Sequence, residues 1–282
     1  MQFEQAGKHR PEILDKVQEH KPLEFVKHLL KNIDHLLGIV GEQKPESLTS
    51  YVANLETRYQ QLVKTDYLSS KSIDVSPFLT ELAHLSKFPR LVGMLLNYHF
   101  QLLQLPRENK GENEVIEITH RVFLRSALIP QYINLQVLTE TVARYEAIQI
   151  YKHHVTLYVR KRIADQEDQH QTLEELREDS LKTDPENPIW LRMVGEVEDG
   201  KLIIRKDCCY WADALEDLSD SELKYLVCCY GDFESVKTYN KRFKLTMEHT
   251  IAAGDSYCDC VYYDTRVTKD FTHPSKEFFD SI

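Results

Sequence analysis

Residues 243–251 read Phe-Lys-Leu-Thr-Met-Glu-His-Thr-Ile. Apolar or ring-bearing side chains occupy every second position of this stretch, with polar ones between them, which is the period of a strand that buries one face. A turn that contains Gly254-Asp255 follows, and residues 257–264 are predicted to form the next strand. The C-terminal part of the chain is therefore predicted to contain an antiparallel sheet.

A β-hairpin is predicted upstream of this pair. Residues 189–198 and 201–205 have the composition of strands, and Asp199-Gly200 between them readily adopts the positive φ angles of a tight turn. Ser219 and Glu222 then form a capping box, which predicts a helix with Cys228-Cys229 in its last turn.

The first two thirds of the chain are predicted to be helical. From about residue 10 to residue 183 apolar residues recur at spacings of three and four, for example over 48–63. The apolar segment 91–105 is predicted to be the central buried helix. A helix over 114–128 follows, and after Pro130 the sequence allows one very long helix or two with a short break.

These patterns predict an α+β fold with a large N-terminal helical part and a smaller C-terminal antiparallel-sheet unit. Pro185 and Pro188 mark the change of character. We therefore predict a helical domain over residues 1–184 and an α+β domain over residues 185–282.

Composition and charge exclude several classes of protein. Hydrophobic residues make up 42% of the chain and charged residues 28%, as in folded globular proteins. The net charge of -10 argues against a broad surface for nucleic acid or for an anionic membrane. Residues 1–10 lack the apolar core of a secretory signal, and no apolar run reaches the roughly 18 residues of a membrane helix. We expect a cytoplasmic protein that binds a small-molecule substrate, with no nucleic-acid or membrane partner, and the sequence leaves a homodimer open.

Common cofactor motifs are absent from the sequence. Glycine occurs only 9 times, and neither of the two usual glycine-rich phosphate-binding patterns is present. The sequence therefore predicts no cofactor, and an enzyme of this sequence must use other chemical groups.

All six cysteines lie between residues 208 and 260. One interpretation is that they are small apolar residues that fill the core. A zinc site favours cysteine pairs spaced as Cys-x-x-Cys, whereas these are adjacent pairs or Cys-x-Cys, so we predict no metal. One thiol from each cluster could still form a three-cysteine site. The remaining interpretation is a set of reactive thiols. Pairing them as disulfides would need an oxidising compartment.

The cysteines stand at the ends of predicted elements. Cys209 ends a strand, Cys229 and Asp232 follow a helix as Cys-x-x-Asp, and Cys258 opens a strand after the Gly-Asp turn. Side chains at such ends can converge on one pocket. Glu248 and His249 are the nearest titratable residues on the partner strand, and only one of them can share a face with that pocket because neighbours on a strand point to opposite faces.

These residues resemble a known family. The run that carries the resemblance is Thr246-Met247-Glu248-His249-Thr250-Ile251-Ala252-Ala253-Gly254-Asp255-Ser256-Tyr257-Cys258-Asp259-Cys260. It is similar to the C-terminal signature of the L-2-amino-thiazoline-4-carboxylate hydrolases, and Cys229-x-x-Asp232 and the strand end Cys208-Cys209-Tyr210 fall where that family has other cysteine and aspartate positions. The resemblance covers about residues 185–265.

The resemblance implies hydrolysis of a small cyclic C–N/C–S substrate, in which water adds at the carbon between nitrogen and sulfur. It implies Cys258 as nucleophile and Asp232 as base, with backbone donors from the turn at Gly254 and Asp255. The full set of candidate catalytic residues is Cys258, Asp232, Cys229, Cys209 and Glu248. The candidate substrate-binding residues are Gly254, Asp255, Thr250 and His249.

Two other functions remain open from the sequence. A Gly-Asp turn that leads into a cysteine-bearing strand also resembles the small-molecule-binding or metal-binding sensor domains of the 4-vinyl reductase type. A non-catalytic interaction protein would instead use the helix that starts near residue 131 for dimerisation.

Overall fold

The structure is a computed structural model that describes residues 2–8, 11–64, 79–105, 115–182 and 191–282. The chain divides into two compact units. One unit is Asp15–Tyr158, and the other combines Met1–Leu14 with Val159–Ile282.

Several predicted features lie outside the described residues. They are the domain boundary between residues 184 and 185 and its two markers, Pro185 and Pro188. The division into domains at this boundary stays a prediction.

The helices of the described ranges are α1 (Pro22–Gln43), α2 (Pro45–Leu62), α3 (Pro89–Leu102), α4 (His120–Thr141), α5 (Arg144–Ile163), α6 (Leu173–Leu181), α7 (Tyr210–Asp213), α8 (Ser221–Cys228), α9 (Asp232–Tyr239) and α10 (Lys276–Asp280). The strands are β1 (Phe3–Ala6), β2 (Val17–His20), β3 (Ile116–Thr119), β4 (Arg192–Gly195), β5 (Lys201–Lys206), β6 (Phe243–Thr246) and β7 (Cys258–Asp264). No helix within these ranges combines the length and the apolar character that a bilayer crossing requires.

The unit Asp15–Tyr158 is mainly helical, as predicted. Helix α2 packs against α1, α3 and α4 and buries Tyr51, Leu55 and Tyr59 completely. The hydroxyl of Tyr59 donates to the side-chain oxygen of Asn134 at 2.7 Å, which satisfies a polar group inside this core.

The prediction of a helix over 114–128 that ends before Pro130 is wrong. Residues Ile116–Thr119 form strand β3, and α4 starts after Thr119, whose side chain accepts a hydrogen bond from the Val122 N–H at 3.2 Å. Helix α4 then continues through Pro130. Proline removes one backbone donor, and tertiary packing on both sides of this buried helix outweighs that loss.

The C-terminal unit contains a five-stranded sheet in the order β1-β4-β5-β7-β6, with every neighbouring pair antiparallel. This confirms the predicted α+β class. Strand β7 lies between β5 and β6, and all seven of its residues are buried.

The two sheet faces carry different chemistry. One face, here called the thiol face, carries Ile204, Cys258, Cys260 and Tyr262 and is covered by apolar residues of α6 and α9. The other, here called the carboxylate face, carries Asp259 among Ile203, Tyr257, Val261 and Tyr263, and Phe279 of α10 packs on it. Alternation along β7 thus separates the cysteines from the acid between them.

The predicted strand over 243–251 is shorter in the structure, because β6 ends at Thr246. The backbone N–H groups of Glu248 and His249, two and three residues after the strand ends, donate to the Oδ1 atom of Asp259 at 2.8 and 2.9 Å. The side chain of Asp259 therefore accepts these hydrogen bonds in place of the backbone of a neighbouring strand, and the chain bends at this point.

The predicted hairpin between β4 and β5 is confirmed. Asp199 and Gly200 both have positive φ angles, of 49° and 71°. A Cβ atom on Gly200 would lie 2.8 Å from the Cβ atom of Val267.

Gly200→Ala is therefore expected to lower the free energy of unfolding by about 1–2 kcal/mol for the left-handed backbone alone, with the contact to Val267 adding to the loss. Gly41→Ala inside α1 is the comparison, since its new methyl meets Leu48 at an ordinary 3.4 Å. Urea unfolding of the two variants measures the difference. A Gly200→Ala midpoint equal to that of the unchanged chain would contradict this account of the turn.

Candidate functional site

The thiol face has a lysine directly opposite its first cysteine. Lys206, the last residue of β5, pairs in register with Cys258, and Ile204 pairs with Cys260. Paired residues of neighbouring strands have their Cβ atoms about 4.5–5.5 Å apart on the same face. The ammonium group of Lys206 therefore belongs to the same small region as the two thiols of β7.

Burial opposes the charge of Lys206, whereas the ionised forms of Cys260, Tyr262 and Asp232 raise the pKa of Lys206 well above its ordinary value. The ammonium group of Lys206 and the anions of its neighbours therefore favour one another. A cation placed beside thiols favours their ionised form.

The two remaining cysteine segments meet next to this region. Cys209 and Cys229 belong to one buried cluster with Ala212 and Ala252. Met247 and Ile251 pack against both this cluster and the one that contains Cys258. The structure thus brings together one thiol from each of the three sequence clusters, and all six cysteines are free thiols.

Asp232 is tied to the same cluster through the backbone. It is the first residue of α9, and its N–H donates to the carbonyl oxygen of Cys229 at 2.9 Å. This hydrogen bond closes the Cys-x-x-Asp segment into a turn. Burial raises the pKa of Asp232, and the charge of Lys206 acts in the opposite direction.

The two adjacent cysteine pairs behave differently. In the first pair, Cys209 lies in the cluster, whereas the Sγ atom of Cys208 accepts a hydrogen bond from the Leu191 N–H at 2.9 Å. In the second pair, Cys229 is buried in the cluster and Cys228 packs against it, with its Sγ atom 3.8 Å from the carbonyl oxygen of Trp211. The sulfur of Cys208 thus faces Leu191 and not the cluster of the other three cysteines.

Burial favours the protonated form of each of these thiols. Burial is the largest effect on each of them, and it raises the pKa of Cys260 to about 11 and that of Cys258 and Cys229 further. Lys206 lowers the pKa of Cys209, Cys258 and Cys260 against this effect. Reaction of a thiolate here would require the lysine and a proton acceptor to work together.

The segment 250–255 presents a backbone donor to Cys258. The Ile251 N–H donates to the Sγ atom of Cys258 at 3.3 Å. Thr250 and Asp255 hold this segment from within, because the Thr250 N–H donates to the Asp255 carboxylate at 2.8 Å and the Thr250 hydroxyl caps Ala253. Gly254 supports the turn with a φ of 107°.

A second group of polar residues lies on the carboxylate face. Asp259 has no exposed surface, and its Oδ2 atom lies 2.7 Å from Nδ1 of His249 and 3.1 Å from Nε2 of His273. The His273 contact lacks an aligned hydrogen bond, and Nδ1 of His273 lies 2.8 Å from the Thr246 hydroxyl.

Charges in this group stabilise one another. Burial alone would raise the pKa of Asp259, but His273, His249 and two backbone N–H groups together hold it below its ordinary value. The hydrogen bond that His249 donates to Asp259 raises the pKa of His249. The side chain of Glu248 is exposed, and only its N–H contacts Asp259.

Sequence reasoning missed three of these residues. Lys206 stands two positions before the first cysteine, at the end of a predicted strand, so its register could have placed it near Cys258. Asp259 lies between two cysteines, and the alternation of side chains along a strand already indicated that it lies on the opposite face of the sheet from them. His273 lies beyond the predicted elements, and no local pattern pointed to it.

No group of three or more His, Cys, Asp or Glu side chains within the described ranges is arranged to hold a metal ion.

The stability of the protein should depend on the pair His249–Asp259 in a predictable way. Because the folded-state pKa of His249 is raised, its contribution is fully present below about pH 6.5 and is lost as the pH rises through the folded-state pKa. Asp259→Asn should remove most of this loss between about pH 6 and about pH 9. Urea unfolding across that range measures it.

The surface carboxylate Asp270 provides the control, since it pairs with Lys201 and is 60% exposed. Asp270→Asn should leave the alkaline loss of stability unchanged. An Asp259→Asn variant that loses as much stability as the wild type over the same range would remove His249 as the group responsible.

Comparison with known proteins assigns the chain to a family. No curated protein matches it, and no solved structure does. The family described as L-2-amino-thiazoline-4-carboxylic acid hydrolase matches residues 118–262, just over half of the chain. The match extends further upstream than the resemblance found over residues 185–265, since it includes α4 and α5. The chain belongs to the family of L-2-amino-thiazoline-4-carboxylic acid hydrolases.

Proposed function

We propose that the chain is a hydrolase that opens a small cyclic C–N/C–S substrate of the 2-amino-thiazoline-4-carboxylate type, with its site on the thiol face. The observation that carries the proposal is that Lys206 pairs with Cys258 next to the cluster of Cys209 and Cys229, and that the Asp232 N–H donates to the Cys229 carbonyl oxygen. The family to which the chain belongs supports the class of reaction through its name.

The reaction has simple chemical requirements. One water adds to the ring carbon between nitrogen and sulfur, the bond from that carbon to the ring sulfur breaks, and the sulfur leaves as a thiol on N-carbamoyl-cysteine. A nucleophile must reach the carbon, a base must take its proton, and a cation must balance the substrate carboxylate or the developing thiolate.

Residues of the thiol face can supply each of these roles. The Cys258 thiol loses its proton to Asp232 and adds to the ring carbon, and the bond from that carbon to the ring sulfur breaks as the sulfur takes the proton back from Asp232. Water next displaces Cys258, whose thiol is restored while the carbamoyl oxygen comes from the water. Lys206 stabilises negative charge on Cys258, and Ile251 donates its N–H to the same sulfur.

The other candidate residues have more indirect places in this scheme. Cys209 and Cys229 form the wall beside Asp232. Thr250, Gly254 and Asp255 shape the turn that holds the Ile251 N–H. Roles for Glu248 and His249 in contact with substrate stay predictions.

The direct test is turnover of L-2-amino-thiazoline-4-carboxylate by the purified chain. The released thiol is measured by reaction with a disulfide reagent, and mass spectrometry checks that the product has gained one water. We expect ring opening with wild-type protein. Binding of the substrate without turnover would instead favour a small-molecule-binding module, and neither binding nor turnover would remove this substrate class.

Cys258→Ala and Asp232→Asn should each lower kcat by about 10²- to 10⁴-fold, because each variant removes a group used in the chemical step. Cys208→Ala is the matched control, since its sulfur faces Leu191 and not the cluster. It should retain wild-type turnover.

Melting temperatures separate chemistry from packing in these variants. Replacing the thiol of Cys258 by hydrogen should cost about 1 kcal/mol of stability. A folded Cys258→Ala variant with wild-type kcat would exclude Cys258 as nucleophile. A large loss of melting temperature would support the interpretation of Cys258 as a core residue.

A further inference from the structure

Two neighbouring residues of β7 bind the same short backbone segment from opposite sides. On the carboxylate face, the Oδ1 atom of Asp259 accepts the N–H groups of Glu248 and His249 at 2.8 and 2.9 Å. On the thiol face, the Sγ atom of Cys258 accepts the N–H of Ile251 at 3.3 Å. The segment 248–251 therefore connects the two faces at the start of β7.

Asp259 is itself fixed from several directions. His249 holds its Oδ2 atom at 2.7 Å, and His273 contacts the same atom at 3.1 Å. His273 contacts the Thr246 hydroxyl through its other ring nitrogen at 2.8 Å, and the Asp259 N–H donates to the His249 carbonyl oxygen at 3.2 Å. A buried carboxylate with so many partners has little freedom to move.

The position of the Ile251 N–H determines how well it stabilises charge on Cys258. A donor to a thiolate acts through a charge-assisted hydrogen bond, whose strength falls steeply as donor and acceptor become misaligned. Upstream of Ile251, the backbone is fixed by the bend at Glu248 and His249. On the other side, the hydrogen bond from the Thr250 N–H to the carboxylate of Asp255, downstream of Ile251, fixes the segment.

We propose that Asp259 is a positioning residue for Cys258: by holding the bend at Glu248 and His249 on one face, it directs the Ile251 N–H towards the sulfur on the other face. Asp259 makes no contact with substrate in this scheme. The inference rests on the proposed role of Cys258 as nucleophile, but the experiment that tests it needs no substrate.

The experiment measures alkylation of Cys258 by iodoacetamide across a range of pH. The thiolate displaces iodide, so the rate follows the ionised fraction of the thiol. Mass spectrometry of the peptides gives a separate rate for each cysteine. Cys208, whose sulfur accepts the Leu191 N–H, is the internal control in every sample.

One pair of variants tests the donor directly. Ile251→Pro removes the N–H, and proline fits this position because residue 251 is the first of a short 3₁₀ helix and Thr250 before it is extended, with φ -145° and ψ 143°. Ile251→Ala loses the same side chain but keeps the donor. Alkylation of Cys258 at neutral pH should be about ten-fold slower in Ile251→Pro than in Ile251→Ala, as for a pKa one unit higher.

A second pair tests Asp259. Asp259→Ala releases both N–H groups of the bend, and we expect alkylation of Cys258 about ten-fold slower, with its pH dependence shifted upward by one unit. Asp259→Asn keeps an oxygen that accepts these N–H groups and should restore most of the rate. Cys208 should react at the same rate in all variants, which a general loosening of the fold would not allow.

Clear outcomes overturn the proposal. They are a folded Asp259→Ala variant with wild-type reactivity at Cys258, equal rates in the two Ile251 variants, or a Cys258 that does not react in the wild type. If Asp259→Ala does not fold, His273→Leu takes its place, since it removes one contact to Oδ2. A few-fold slower rate supports the proposal, and an unchanged rate overturns it.

The results also separate this inference from the proposed function. Wild-type protein that fails to hydrolyse the thiazoline while Cys258 responds as described would contradict the substrate and leave the positioning role intact. Turnover that depends on Cys258, together with a rate of Cys258 alkylation that is unchanged in Asp259→Ala, would contradict the positioning role and leave the proposed substrate intact.

Discussion

Strand β7 has no solvent-exposed face, and the chemistry of the C-terminal unit depends on that constraint. Every residue from Cys258 to Asp264 is buried, so each polar side chain of the strand must find a partner inside the protein. Period-two alternation sends Cys258 and Cys260 to one face and Asp259 to the other. A lysine then comes to lie beside the thiols, and two histidines beside the carboxylate.

The two faces differ in how they satisfy their charges. On the carboxylate face, Asp259 accepts hydrogen bonds from the His249 ring and from two backbone N–H groups, which makes it a rigid anchor. On the thiol face, Lys206 lies among thiols, tyrosine hydroxyls and the carboxyl group of Asp232, whose pKa is raised by burial. A lysine among nucleophilic side chains is suited to a substrate that brings negative charge and accepts a nucleophile.

Much of this arrangement could be predicted from the sequence, because the relevant signals are local. Alternation identified β6, the turn at Gly254-Asp255 marked the start of β7, and Asp199-Gly200 identified the hairpin. The prediction that Cys209 ends a strand is wrong, because β5 ends at Lys206 and Cys209 precedes helix α7. The bend after Thr246 could not be predicted, since it depends on a side chain that is 10 residues from His249 along the chain. The partners Lys206 and His273 come from strand register and tertiary packing, which local patterns do not encode.

The central claim is that the thiol face next to Lys206 is where the substrate binds. The most direct measurement is a crystal structure with thiazolidine-4-carboxylate, a saturated analogue that lacks the reactive C=N carbon and therefore cannot be hydrolysed. The account predicts the analogue beside Cys258, with its carboxylate against the ammonium group of Lys206. An analogue bound away from both residues, with the thiol face closed and unchanged, would contradict it.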